Sequence, residues 1–322
     1  MSNTTQAPVW EECKDGTEQR VELIFVSLYV LIFVAGLILN LTALVVFFCH
    51  TKTRSHTTVY MTNLALADLF LVCTLPVRIY YHLGFQDTPP LLCEIMGVVL
   101  LINMYGSIFL LSCISFDRCV AVCFPMSQRV REGRKRAPFI CLAVWVITIG
   151  ASLPIYLIKP PDNQNQTQTQ CFGSVPIYAT RAIAVTSSLI TGFGVPLLVM
   201  LISSWGLIRA ISHSQAAQSE LVDSRKIQRM IAICLIIFLC CFLPYHLNLW
   251  LIYLHQRPIP CGLVTSYRYS LMVACLNAVL DPLAYYFTTE TFRERVDLDV
   301  LRMWPTTGQS SENNRAGGPL NT

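Results

Sequence analysis

Residues 63–81 read "NLALADLFLVCTLPVRIYY", an apolar run carrying one acid, Asp68, and one base, Arg78, ten positions later. The run has the length of about 20 residues that crosses a bilayer as a helix, and charges inside such a span are costly and usually functional. Composition extends that reading to the whole chain. Of its 322 residues, 54% are hydrophobic and 13% charged, whereas an average soluble domain is about 25% charged. The short alternating segments of a transmembrane barrel are absent, so the fold class is an all-α membrane protein. At about 1.5 Å per residue, Arg78 lies about 15 Å from Asp68, half a bilayer core. With Asp68 near the midplane, Arg78 reaches a membrane boundary, where a long side chain snorkels at little cost. About 100° per residue leaves it about 80° from the Asp68 face. Pro76 then decides whether the arginine turns into a bundle or away from it.

Seven apolar segments follow one another, near 22–49, 58–83, 91–124, 138–158, 178–208, 229–254 and 263–287. The polar breaks between them are too short to hold domains. The expected organisation is a tail (1–21), a seven-transmembrane helix bundle (22–288), a short amphipathic eighth helix (289–304) and a disordered tail (305–322). In the eighth helix Phe292, Val296, Val300 and Trp304 recur every four residues, one apolar face suited to the inner leaflet. Alternate connections differ in charge. One set holds Lys52, Arg54, Arg129, Arg131, Arg134, Lys135, Arg136, Arg209, Arg225, Lys226 and Arg229; the other holds Lys14, Arg20, Lys159 and Arg257. Basic residues accumulate on the cytoplasmic side, so the N-terminus is expected outside, on a multi-pass plasma-membrane protein. Residues 1–20 are polar, and no cleavable leader is expected. The sequons at Asn3 and Asn165 both fall on the outer side.

That topology also sorts the 14 cysteines. Cys13, Cys93, Cys171 and Cys261 lie outside or at the outer rim, where an even number suggests pairing, with three connectivities open. The other ten read as small apolar residues of helix interfaces. No His/Cys cluster has the spacing of a metal site.

Two carboxylates lie deep in spans: Asp68, and Asp281 in "NAVLDPLAYYF". Buried carboxylates must be protonated, paired or bound to a cation. Asn40, Asn63, Ser107 and Asn277 supply oxygen-bearing side chains, and both a Na⁺ site and a hydrogen-bonded packing network stay open. Asp117 and Arg118 close the third span at its cytoplasmic end, either as a switchable pair or with Arg118 anchored at the interface. Pro196, Pro244 and Pro282 each remove a backbone donor from one of the last three spans, which suits a bundle that flexes.

Taken in order, these residues resemble the rhodopsin-like (class A) G-protein-coupled receptors over about residues 20–303. The matching features are "GLILN" with Asn40, "NLALAD" with Asp68, Cys93 heading the third helix, "SFDRCVAV" with Asp117 and Arg118, Trp145, Pro196, "FLCCFLP" and "LDPLAYY". The resemblance implies a Cys93–Cys171 bridge and a sodium pocket at Asp68, Ser107, Asn277 and Asp281, with Na⁺ as an optional allosteric ion and no other metal or cofactor. It implies that Arg118 leaves Asp117 to meet a heterotrimeric G protein, with arrestin as an open second partner. Phe238, Phe242 and Pro244 would form the packing switch, and Tyr285 would swing inward. Cys119, Phe242, Ala278 and Ser204 depart from the family's usual residues, and no glutamate stands in "SRKIQRM" to lock Arg118.

"LPVRIYY", "FLPYHLN" and "DPLAYYF" look most like the purinergic-like branch, and within it the lysophosphatidic acid receptors. Cys13 and Cys261 match that branch's second bridge. The expected ligand is therefore extracellular, anionic and lysophospholipid-like. Its head would be met by Arg78, Lys159, Arg181 and Arg268, with Tyr81, Tyr105, His246, Tyr253 and Tyr267 as polar edges and Leu101, Met104 and Leu249 as an apolar wall. Arginine suits bidentate contact with phosphate or carboxylate. Leu249, three residues after His246, replaces the basic residue common in nucleotide receptors. A nucleotide or small carboxylate is the alternative ligand, and a constitutively active orphan receptor the alternative mode. No nucleophile–base set or inverted repeat marks an enzyme or transporter. The remaining partners are membrane lipids, and nothing points to nucleic acid.

Overall fold

The computed structural model describes residues 18–50, 55–85, 88–157, 176–213, 218–255 and 259–288. Among these, seven helical spans are long and apolar enough to cross a membrane, and there are no strands. The first span is α1 (Glu18–Val45), continued by a π-helical turn (Val46–His50); the second is α2 (His56–His82) and the third α3 (Pro90–Cys123). A short helix α4 (Gln128–Arg134) leads to the fourth span, α5 (Ala137–Leu157). The fifth runs from α6 (Ala182–Ser187) through a π-helical segment (Ser188–Gly194) into α7 (Val195–His213). The sixth is α8 (Gln218–His255), and the seventh is split into α9 (Cys261–Cys275) and α10 (Asn277–Thr288). The end carrying Arg129, Arg131 and Arg134 is called inner, following the charge bias.

The third span is central: α3 packs against α2, α5, α7 and α8, while α10 closes the ring on α1, α2 and α8. Outward faces stay apolar because lipid, unlike water, exacts no penalty for it. On α5 the exposed residues include Phe139, Leu142, Val146 and Ile147. Inside, Leu64, Leu71, Ile108, Phe238 and Phe242 are fully buried.

The prolines act where sequence places them. Pro282 cannot donate to the carbonyl of Ala278, one turn earlier, and the Asn40 side chain does so instead, Nδ2 to O at 2.7 Å. That bond ties the first span to the seventh. Asn40 is thereby a backbone cap as well as a motif residue. Before Pro196 the fifth span widens into its π-helical segment, whereas α8 continues as one helix through Pro244. The sixth helix begins at Gln218 rather than near 229, because the polar stretch "QSELVDSRKIQRM" holds no Gly or Pro to stop a helix. Hydropathy marks the membrane-length part alone.

Close packing of the first and second spans depends on Gly36. A Cβ there would come within 2.9 Å of Val72 Cγ2 and 3.8 Å of Ala278. Gly36→Leu is therefore expected to destabilise the bundle by about 1–3 kcal/mol through overpacking. The check is the melting temperature of the purified protein, which should fall by several degrees; Gly36→Ala should fall less, since Val72 can rotate. An unchanged melting temperature for Gly36→Leu would contradict this crossing.

Residues 1–17, 158–175 and 289–322 lie outside the described set, and with them the expected tail, eighth helix, Asn3, Cys13, Lys159, Asn165 and Cys171. The Tyr285 side chain and Arg257 lie outside it too.

Candidate functional site

The outer half of the bundle holds two polar clusters. In the first, Glu22 of α1 bridges the second and seventh spans. Arg268 Nη2 donates to its Oε1 at 2.5 Å, and His82 Nδ1 closes on its Oε2. The Arg268 guanidinium lies 5.0 Å above the Phe25 ring centre, and that ring stacks on His82 and Tyr269, each at 4.9 Å. One helical turn before His82, Arg78 is 3% exposed. Its Nη2 donates to the Met96 carbonyl at 3.2 Å. Arg78 thus faces inward, against the third span, while α2 continues as one helix through Pro76. Tyr81, half-buried, meets His82 edge-on at 5.5 Å.

The second cluster joins the third, fifth, sixth and seventh spans through phenols. Tyr178, in the turn before α6, shares hydrogen bonds with Tyr245 at 3.0 Å and Tyr267 at 3.2 Å. Tyr105 pairs with Ser188 Oγ at 2.6 Å. Its ring lies on the bare backbone of Gly192, where a Cβ would come within 2.6 Å of it. Below them His246 is buried, with Nδ1 bonded to the Phe242 carbonyl at 2.7 Å. A nitrogen facing a carbonyl must donate, so in the neutral ring Nε2 is left as an acceptor, and it has no partner. Leu101, Met104 and Leu249 are buried in the surrounding core, with Tyr253 packed against it. Arg181 is exposed at the head of α6.

At mid-bundle, Asp68 Oδ1 accepts from Asn103 Nδ2 at 3.1 Å and more weakly from Asn277 Nδ2 at 3.4 Å. Asn277 Nδ2 also donates to Ser107 Oγ at 3.0 Å. Asp68 Oδ2, Asn277 Oδ1 and both Asp281 oxygens are buried without a hydrogen-bond partner. Such groups are expensive unless something positive reaches them. Asn63 is elsewhere: it accepts from Trp145 Nε1 at 2.9 Å, tying the second span to the fourth.

Between these levels Phe193 stacks on Phe238 at 5.0 Å and tilts on His246 at 4.5 Å. Phe238 meets Phe242 edge-on at 5.8 Å. An aromatic column thus runs from the phenol cluster to the core of the sixth span. At the inner end, Asp117 is held by three residues. Arg134 of α4 grips it with two bonds, Nε to Oδ1 at 2.7 Å and Nη2 to Oδ2 at 3.1 Å. Thr57 donates to Oδ2 at 2.5 Å, and Arg118 contacts the same oxygen at 3.2 Å while also bonding Thr57.

Sequence reading missed Glu22, His82, Asn103, Tyr178, Tyr245, Phe193 and Arg134. Asn103 could have been found, since it lies one turn from Ser107 and so shares its face. Glu22 sat at a span edge and Arg134 in a basic loop, where neither position nor spacing names a partner.

Cys93 and Cys261 are disulfide-bonded, and the ten inner cysteines are free thiols. The family model for the 7 transmembrane receptor (rhodopsin family) matches residues 39–285. Lysophosphatidic acid receptor 6 of Homo sapiens is 34% identical over 287 residues, covering 84% of this chain and 82% of the relative. Lysophosphatidic acid receptor 4 of Homo sapiens is 34% identical over 281 residues, covering 83% and 75%. Cysteinyl leukotriene receptor 1 of Homo sapiens is 31% identical over 295 residues, covering 88% and 87%. The seven packed spans, the buried carboxylates at mid-bundle and the Asp117–Arg118 pair below them are features of one family, and the chain belongs to it: the rhodopsin family of seven-transmembrane receptors, the class A G-protein-coupled receptors.

Proposed function

We propose that this receptor binds an extracellular lysophospholipid of the lysophosphatidic acid type and activates heterotrimeric G proteins. The observation that carries the reading is Arg78, a cation 3% exposed in the outer half of the bundle. Burying a guanidinium is costly, and a phosphate head repays that cost with charge-assisted, bidentate bonds. In the same half of the bundle the Leu101, Met104 and Leu249 wall suits an acyl chain, and His246 Nε2 offers an acceptor for a glycerol hydroxyl. The names of the relatives agree with this chemistry. The N-terminus lies outside in this reading, with Asn3 and Asn165 glycosylated and bridges Cys93–Cys171 and Cys13–Cys261 bracing the outer face.

The test is guanine-nucleotide exchange on purified G protein, with the receptor in lipid nanodiscs. Lysophosphatidate should accelerate exchange, while nucleoside diphosphates and small carboxylates should not. A response to a nucleotide with none to lysophosphatidate would overturn the ligand class.

The mid-bundle oxygens fit a hard monovalent cation, which prefers oxygen ligands. Asp68, Ser107, Asn277 and Asp281 would hold Na⁺, whose single charge would offset one of the two carboxylates and so favour the arrangement that encloses it. Asn103 orients Asp68 for that role. Agonist affinity should consequently fall several-fold when sodium replaces choline in a binding assay, since an ion that prefers one state opposes a ligand that prefers the other. Asp68→Asn should remove the sodium effect. Equal affinity in the two salts for the unmodified receptor would rule the pocket out.

A further inference from the structure

The pairing of Arg268 with Glu22 leaves part of the guanidinium unused. Glu22 takes Nη2, whereas Nε on the same edge is buried with no hydrogen-bond partner. A carboxylate or phosphate meeting an arginine edge-on ordinarily takes both donors. Glu22 takes one because its other oxygen is turned to His82. Its side chain is also more open than its partners, 23% exposed against 18% for Arg268 and 3% for His82. The acid is therefore the most exposed member of a cluster whose others are the arginine, the histidine and the Phe25 ring against both. Arg78 lies one turn deeper along α2 from His82.

From this geometry we infer that Arg268 and His82 form an anion subsite that Glu22 occupies in the unliganded receptor, as an internal stand-in for the ligand's anionic group. Binding is then an exchange. The incoming phosphate or carboxylate displaces the Glu22 carboxylate toward water and takes both donors of the Arg268 edge. That the anion belongs to a lysophospholipid rests on the reading above; the subsite itself rests on the Glu22, His82 and Arg268 contacts. Glu22 sets ligand affinity from outside the ligand-contact set: the stronger its hold, the more concentrated an anion must be to replace it.

Two measurements on the full-length receptor test this. In the first, melting temperature is followed for the unmodified receptor, Glu22→Ala and Glu22→Gln as acetate or inorganic phosphate is added at constant ionic strength. Glu22→Ala should melt lower and be restored saturably by either anion. Glu22→Gln, which keeps the shape and loses the charge, should respond likewise. The unmodified receptor and the Glu22→Ala/Arg268→Ala double variant should not respond. In the second, lysophosphatidate binding should tighten about tenfold in Glu22→Gln, the equivalent of one charge-assisted hydrogen bond no longer competing. Absence of anion rescue in both variants, or weaker lysophosphatidate binding in Glu22→Gln, would overturn the inference and leave Glu22 as an orienting group for Arg268. Anion rescue with no lysophosphatidate binding by any form would retain the subsite and overturn the lysophospholipid reading instead.

Discussion

Arg78→Ala is expected to lower the potency of lysophosphatidate by about 100-fold or more at equal surface expression, two charge-assisted hydrogen bonds at about 1.5–3 kcal/mol each. The size of the effect follows from where the residue is. A guanidinium at the bundle surface would snorkel and lose little when truncated. Arg78 is instead enclosed, 3% exposed, and bonded to the Met96 carbonyl. That contact and the burial fix its direction, so a phosphate meets a preorganised donor. Arg78→Lys should restore part of the loss, because the charge returns but the planar fork does not. The measurement is a concentration–response curve for nucleotide exchange, with surface expression quantified by an N-terminal epitope. Equal potency of Arg78→Ala and the unmodified receptor would remove Arg78 from the ligand site.

Arg118→Ala should abolish agonist-stimulated exchange while leaving ligand binding in place, and changes around Asp117 should move basal activity in opposite directions. Arg118 holds Asp117 by one 3.2 Å contact, on an oxygen already taken by Thr57 and Arg134. Arg134 has the stronger grip, with two bonds at 2.7 and 3.1 Å. Arg118 is therefore the cation that leaves most readily. Asp117→Asn removes the charge that retains it, and basal exchange should rise several-fold. Arg134→Ala removes its competitor, so Asp117 should hold Arg118 more firmly and basal exchange should fall. Measuring unliganded exchange for the three variants separates competition from simple bracing. If Arg134→Ala raised basal exchange as Asp117→Asn does, α4 would be a brace for the pair and not a rival to Arg118.

The seven spans and their order were legible because a membrane demands long apolar helices with every backbone group bonded internally. The charge bias named one end inner, and of the prolines only Pro196 lies beside a disturbed segment, whereas α8 runs unbroken through Pro244. Asp68, Asp281 and the Asp117–Arg118 pair stood out because charge inside an apolar run is rare. Part of the candidate site was legible for the same reason. Arg78 was visible, and its placement matches the geometry that rise and rotation allow.

Other parts were not legible. Glu22 and Arg268 are 246 positions apart, and neither looks unusual at the edge of its own span. Arg134 sits among five basic residues of one connection, and its bond to Asp117 distinguishes it from the rest only in three dimensions. Asn103 and Asn63 are two amides in two spans, yet one faces Asp68 and the other Trp145.

The sequence by itself determined that this protein crosses the membrane seven times, which end is basic, and which charges lie too deep to be incidental. Those properties follow from hydropathy and helical rise, which act along one chain segment at a time. Only the tertiary structure decided that Arg78 faces inward, that Glu22 covers Arg268, and that Arg134 competes for Asp117. Each depends on the rotation of one helix against another, and side-chain packing and hydrogen bonds between distant segments set that rotation.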